Sequence, residues 1–252
     1  MDANELRESL GKLGSQISQL GDKVANSISN YELKCQMCDI GKRIWTLGFV
    51  AANDGNFSVK LPDGTFLATP TGTSKGFMTP DMIITLDKDG KVIDSPRGLK
   101  PSSEIKMHFK CYEERPDVNA VVHAHPPIAT GYAIAHIPLD RYTMPEAILA
   151  LGSVPIAPYG TPSTEEIPDS IVPFLPEHDV ILLENHGALA VGADLMTAYF
   201  RMETLELYAK NSFIARMLGG EIELPQDKLE QLLALRSNYG VTGKHPGIKH
   251  YR

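Results

Sequence analysis

The apolar positions fall into two regimes. In residues 1–30, Leu6, Leu10, Leu13, Ile17, Leu20, Val24 and Ile28 recur at spacings of four and three, the stripe of a helix that turns one seam toward a partner. Gly11, Gly14 and Gly21 interrupt the stripe, each costing a helix about 1 kcal/mol relative to alanine, so a partner surface must order the segment. Two readings follow. One is a helix packed on its own domain or a frayed tail, and the other is a docking or encapsulation helix that recruits the chain into a larger assembly, such as a protein-shelled compartment.

From residue 31 to 252 the spacing changes repeatedly between helix and strand, and one main domain is expected. A helix is predicted over 31–49, stopping near Gly48, then strands over 56–60 and 65–69 joined by the Pro62-Asp63-Gly64 turn. Strands over 82–86 and 91–93 flank Asp87-Lys88-Asp89-Gly90. A helix starts at Ser102 or Ser103 and ends where Arg115-Pro116 forbids its continuation. The apolar run Ala120-Val121-Val122 reads as a strand and Ile128–Ala135 as a helix. Residues 178–183 and 188–191 read as strands around a tight turn, 194–218 as a long helix and 226–237 as a last amphipathic one. Hairpins mixed with helices, with few strand-helix-strand crossovers, imply an α/β layered domain on a largely antiparallel sheet.

Composition narrows the function classes. A formal charge of −7 on 252 residues, with Lys and Arg scattered, argues against a nucleic-acid surface and favours a small polar substrate. No apolar run reaches the roughly 20 residues that span a bilayer, and no secretory leader pattern opens the chain, so a cytoplasmic protein away from membranes is expected. Three cysteines make a poor disulfide framework; Cys35 and Cys38, lacking a second C-x-x-C to complete a zinc site, read as two reduced helix thiols.

The chemistry-bearing residues cluster in a few motifs. In Val122-His123-Ala124-His125 two imidazoles lie two apart at the end of an apolar run, so in an extended chain both reach one metal. By itself H-x-H is a common chance spacing. Glu184-Asn185-His186-Gly187 supplies a third imidazole after Val180–Leu183, with Gly187 expected to permit the turn that aims it inward. Three neutral imidazoles leave a coordination position open, the catalytic arrangement for zinc or a similar divalent ion. The remaining histidines, His108, His136, His178, His245 and His250, lack such a context and receive no ligand role. Pro101-Ser102-Ser103-Glu104 is an ordinary helix start that also offers two hydroxyls and free amides to an anion. Gly55-Asn56-Phe57-Ser58 and Thr69-Pro70-Thr71-Gly72-Thr73-Ser74-Lys75-Gly76 are further loops able to present amides to an anion.

Taken in order, Gly55-Asn56-x-Ser58, Thr69-Pro70-Thr71-Gly72, Pro101-Ser102-Ser103-Glu104 with His108, Arg115-Pro116-Asp117 through His123-x-His125, and Asn185-His186-Gly187 resemble the class II aldolase and adducin family, and within it the bacterial L-fuculose-phosphate aldolases, over about residues 31–220. The resemblance implies a three-layer α/β/α sandwich with a largely antiparallel central sheet, assembled as a homotetramer with active sites at subunit interfaces. It implies one zinc, or another divalent ion such as manganese, per chain on His123, His125 and His186, with Glu104 as a further ligand that becomes the acid/base when substrate displaces it. Asn56, Thr71, Gly72, Ser102 and Ser103 would bind the phosphate of a ketose 1-phosphate, cleaved to dihydroxyacetone phosphate and an aldehyde such as lactaldehyde. Glu104, where related 4-epimerases carry aspartate, favours the aldolase over an epimerase; epimerisation, dehydration or decarboxylation of a sugar phosphate stays as the first alternative, and the intact triad with Glu104 argues against the second, an adducin-like scaffold. One departure stands out: the family's tyrosine from a neighbouring subunit falls near Met144, Pro145 and Glu146, where no tyrosine stands, and Tyr142 and Glu146 read as structural.

Overall fold

The computed structural model describes residues 15–16 and 30–251, so the heptad positions of the N-terminal segment lie outside the described residues. The chain opens with helix α1, residues 30–46. Four strands follow, β1 (Asn56–Lys60), β2 (Phe66–Ala68), β3 (Ile84–Leu86) and β4 (Val92–Asp94), then α2 (Ile105–Glu114), β5 (Ala120–Ala124) and α3 (Pro127–Ile134). The rest comprises α4 (Pro145–Ala150), β6 (Ile156–Ala157), α5 (Glu166–Ile171), β7 (Val180–Leu183), β8 (Gly187–Gly192), α6 (Leu195–Met217) and α7 (Gln226–Ala234).

The strands form one sheet in the order β4-β3-β2-β1-β5-β8-β7-β6. Every neighbouring pair is antiparallel except β6 with β7, so the largely antiparallel sheet expected from the hairpin pattern is what forms. Alternation along the strands feeds two cores. Phe57, Val59, Ala120, Val122, Leu182 and Ala190 face α1, α3 and α6, while Phe66, Val121, Ile181, Leu189 and Val191 face α2 and α5, which makes the three α/β/α layers. Helix α6 shows why: Leu195, Ala198, Tyr199, Met202, Leu205, Tyr208 and Ala209 recur on one face, and Asp194 caps its first turn by accepting from the Thr197 amide at 2.7 Å.

Most departures from the sequence expectation are small. The strand predicted over 82–86 begins as a short 3-10 turn at Pro80–Met82, and α2 begins at Ile105 rather than at Ser102 or Ser103. Three elements carried no expectation: α4, β6 and α5, each six residues or shorter, in a stretch punctuated by prolines that mask any period. Cys35 and Cys38 are free, half-buried thiols on α1, as expected, and burial pushes the Cys38 thiol up to about 12.

Topology brings the motif loops together. Antiparallel pairing sets the start of β1, the end of β2, the end of β5 and the β7–β8 turn at one end of the sheet, and places Asn56 directly across from His123. The loop after β2 is stitched to the segment before α2 by a Pro70–Pro101 bridge and by the Thr71 amide donating to Lys100 at 2.9 Å.

Candidate metal centre and cleft

His123 lies in β5 on the face shared with Val121, which turns it toward the start of α2, and His125 follows one residue past the strand end. The expected same-side projection holds: the two Nε2 atoms are 3.1 Å apart. His186 comes from the β7–β8 turn, and the ligand atoms of the three rings lie within 4.8 Å of one another. The turn uses its residues differently from the expectation. Asn185, at φ 54, takes the left-handed conformation, while Gly187 is needed for room, because a Cβ there would sit 2.5 Å from the His125 ring and 2.7 Å from the Ala124 carbonyl.

Glu104 occupies the cap position of α2 without capping it, and its carboxylate turns to the imidazoles instead. Oε1 is 3.3 Å from His186 Nε2, Oε2 is 3.6 Å from His123 Nε2, and Asn56 Nδ2 donates to Oε2 at 2.7 Å. Burial opposes ionisation of this carboxyl, but electrostatic attraction to the His123 and His186 imidazoles, with the hydrogen bond from Asn56, outweighs it and holds Glu104 far below the usual carboxylate range. Burial pushes the His123 imidazole down to about 3, against the pull of Glu104, so it is neutral at pH 7.

The tautomers follow from the partners. A carbonyl only accepts, so His123 Nδ1, 2.9 Å from the Ala188 oxygen, carries the proton and leaves a lone pair on Nε2. His125 turns Nδ1 toward Asp54 Oδ2 at 3.8 Å and Nε2 toward His123. Two imidazole nitrogens at 3.1 Å, beside a carboxylate whose Oε1 is buried without a hydrogen-bond partner among the described residues, make a donor set that fits a divalent cation.

A cleft of about 250 Å³ opens beside this cluster, lined among others by Asn56, Thr71, Lys75, Ser102, Ser103, Glu104, His125 and His186. Of the residues expected to bind phosphate, Gly72 alone is not among those lining the cleft; it turns the loop behind Thr71 with φ 67. Sequence reasoning passed over His108, which is fully buried. Because the Glu104 carboxylate only accepts, the Asn56 amide must present Nδ2 to it and Oδ1 to His108 Nε2, 2.6 Å away. His108 Nδ1 then accepts from Ser58 Oγ at 2.8 Å, and Ser58 lies 2.7 Å from the Tyr112 hydroxyl. The signal available was the spacing of four from Glu104, one turn along α2. Asp54, Lys75 and Ser163 also line the cleft without having been expected there.

An α/β/α sandwich on a mostly antiparallel sheet, with three strand-end histidines facing a helix-start glutamate, is the architecture of a metal-site enzyme rather than a binding scaffold. Residues 35–213 match the family profile of the Class II Aldolase and Adducin N-terminal domain, and the chain belongs to the class II aldolase and adducin family, whose aldolases are metal-dependent. Among curated relatives, a 3-oxo-tetronate 4-phosphate decarboxylase of Escherichia coli is 33% identical over 72% of this chain and 86% of its own length. An L-fuculose phosphate aldolase of Methanocaldococcus jannaschii is 34% identical over 70% of this chain and 93% of its own. A solved L-fuculose 1-phosphate aldolase superposes with a TM-score of 0.74 at 28% identity, covering 81% of this chain and 95% of that one. Among the described residues, no helix is long and apolar enough to cross a membrane.

Proposed function

We propose that this chain is a metal-dependent lyase that cleaves a ketose 1-phosphate of the L-fuculose 1-phosphate kind into dihydroxyacetone phosphate and an aldehyde such as lactaldehyde. The observation that carries the reading is the convergence of His123, His125, His186 and Glu104 on one point at the edge of a cleft furnished with hydroxyl and amide donors. In this reading the three imidazoles hold zinc, or another divalent ion such as manganese, one per chain, which when bound supplies Lewis-acid polarisation of the ketone. The remaining work falls to side chains. Asn56, Thr71, Ser102 and Ser103, with the main chain at Gly72, hold the phosphate, so that the bond to be broken is delivered to the same place in each turnover.

As the C3–C4 bond breaks, its electron pair passes to C3 as enolate, the C4 hydroxyl gives up its proton to an acceptor facing it, and C4 leaves as the aldehyde carbonyl. Glu104, which takes up a solvent proton once substrate has displaced it from the imidazoles, then delivers that proton to C3, and in the condensation direction removes it. The hydrogen bond from Asn56 fixes one carboxylate oxygen and leaves the other free for that transfer. In a homotetramer with sites at subunit interfaces, the acceptor for the hydroxyl proton would come from the neighbouring subunit.

One observation favours a second reading, decarboxylation of a 3-oxo sugar-acid phosphate. Met144, Pro145 and Glu146 stand where the family's neighbouring-subunit tyrosine falls, and Tyr142 is buried with its hydroxyl tied to the Gly247 and Lys249 carbonyls, each at 3.0 Å. Loss of carbon dioxide leaves the same kind of enolate for Glu104 to protonate and has no hydroxyl proton to dispose of. The test is parallel measurement of dihydroxyacetone phosphate and carbon dioxide, from ketose 1-phosphates and from 3-oxo-tetronate 4-phosphate, on metal-loaded and EDTA-treated protein. Metal-dependent triose phosphate release from a ketose 1-phosphate without carbon dioxide supports the aldolase, triose phosphate released with equimolar carbon dioxide from 3-oxo-tetronate 4-phosphate supports the decarboxylase, and neither product from metal-loaded protein sinks both in favour of epimerisation or dehydration.

A further inference from the structure

Among the described residues Lys75 is the only Lys or Arg lining the cleft, and its placement is rigid. It opens a 3-10 turn, Lys75–Phe77, against which α1 is packed with no spare room. A Cβ at Gly41 would come within 2.5 Å of the Lys75 carbonyl oxygen, and one at Gly76 would meet the Trp45 ring at the same distance. The side chain is buried at 1% exposure, and Nζ donates to the Asn53 carbonyl at 3.0 Å and the Thr73 carbonyl at 2.7 Å. An ammonium has three N–H groups, so one donor is left. No carboxylate pairs with Nζ among the described residues; Asp54 and Glu104 act on it only through space.

A buried cation without a counter-charge is costly and persists where something else supplies the anion. Burial pushes the ammonium down to about 8, which still leaves it mostly charged at neutral pH. The groups sharing the cleft with it, Thr71, Ser102, Ser103 and Asn56, are neutral hydrogen-bond donors suited to an oxyanion with several acceptor oxygens.

We infer that Lys75 is the charge-recognition residue of the cleft, pairing its free N–H with the phosphate monoester of the substrate. The inference deepens the proposed function and rests on that reading for the substrate's phosphate. It assigns to one lysine the discrimination between a phosphorylated sugar and its unphosphorylated counterpart, and gives Asn53 and Thr73 the role of aiming the ammonium. Lysine acts here as a point charge, so arginine should recover much of the effect and a neutral isostere none of it.

The test is calorimetric titration of the metal-loaded full chain with inorganic phosphate, dihydroxyacetone phosphate and dihydroxyacetone, for wild type, K75M and K75R. Lys75→Met is expected to weaken both phosphate ligands by about 10- to 100-fold, the worth of a charged hydrogen bond, and to leave dihydroxyacetone unchanged. Lys75→Arg should restore most of the loss. Unaltered phosphate affinity in K75M would overturn the inference, as would equal weakening of dihydroxyacetone, which would make Lys75 a tie between two loops. Should the variants fail to fold, nitrogen NMR of lysine-labelled wild type decides: phosphate must shift the Lys75 Nζ resonance while leaving that of Lys100 in place, and an unmoved Lys75 resonance overturns the assignment. Failure of the lyase reading is separable, since it would appear as absent product with phosphate binding at Lys75 intact.

Discussion

The two ends of strands β5 and β7 carry buried polar clusters built on opposite principles. Where the strands begin, Arg115 donates to Asp117 through Nε and Nη2 at 2.8 and 2.7 Å and to Asp179 Oδ1 at 2.8 Å, and its Nη1 serves the Leu175 and His178 carbonyls. Arg201 closes the group, with Nη2 2.8 Å from Asp179 Oδ2, in ion contact although off hydrogen-bond alignment, and donors to Val191 and Thr242. Two cations meet two anions there. Where the strands end, one carboxylate faces three imidazoles, Glu104 Oε1 and His186 Nδ1 lack hydrogen-bond partners among the described residues, and a cleft adjoins. A charge-balanced, closed cluster stabilises the fold; an unbalanced one beside a cavity is kept for what it binds.

Single substitutions should therefore separate the ends. Glu104→Gln is expected to cut turnover by up to about 10⁴-fold, the upper range for a general acid/base, while the urea midpoint stays near wild type. Arg115→Ala should do the reverse, costing about 1–3 kcal/mol of stability by leaving Asp179 Oδ1 and the Leu175 carbonyl without their donor while Arg201 still faces Asp179, with unchanged kcat per folded molecule. A thermal or urea unfolding curve beside a turnover assay reads both, and a variant that moved both quantities together would erase the distinction.

Acid sharpens the comparison, because each end holds a buried histidine. Burial pushes His108, at the site, and His178, near Arg115, each down to about 4. Both are neutral in the native state, whereas the unfolded chain protonates them below about pH 6.5, so the unfolded state binds more protons and stability falls as pH drops from about 6.5 toward 4. Each should contribute a slope of about 1.4 kcal/mol per pH unit, and His178→Asn should remove its share. A flat pH dependence of the urea midpoint across that window would contradict the assignment. The smallest effect is expected at His108 itself. His108→Leu leaves Asn56 without its donor and should lower kcat/KM by about 10- to 100-fold, as loss of a supporting hydrogen bond does at metal sites. His108→Gln, which can still donate to Asn56, should recover part of that loss; no recovery would make His108 a packing residue only.

How much of this was legible in the sequence divides along the same line. His123 and His125 announce themselves because strand alternation dictates where their side chains go, Glu104 was legible only through its place among the family's ordered motifs, and the hairpin turns made the antiparallel sheet readable. The Arg115-Pro116-Asp117 motif could be seen but not understood, since its partners Asp179 and Arg201 lie far along the chain. His108 and Lys75 were hidden for a related reason: a buried histidine and a lysine in a Gly/Thr loop look ordinary until β1 and α1 bring Asn56, Asn53 and Gly41 against them. The short α4, β6 and α5 were beyond reach because six residues or fewer define no period.

The claim underneath all of these is that the strand-end cluster exists to hold a divalent ion. It is tested most directly by elemental analysis of metal-loaded, gel-filtered wild type, His123→Ala and the Cys35→Ser/Cys38→Ser double variant. The account predicts one zinc or manganese per chain in wild type and the cysteine variant, and none retained in His123→Ala. Stoichiometric metal in His123→Ala, or its loss from the cysteine variant, would place the ion elsewhere and contradict the account.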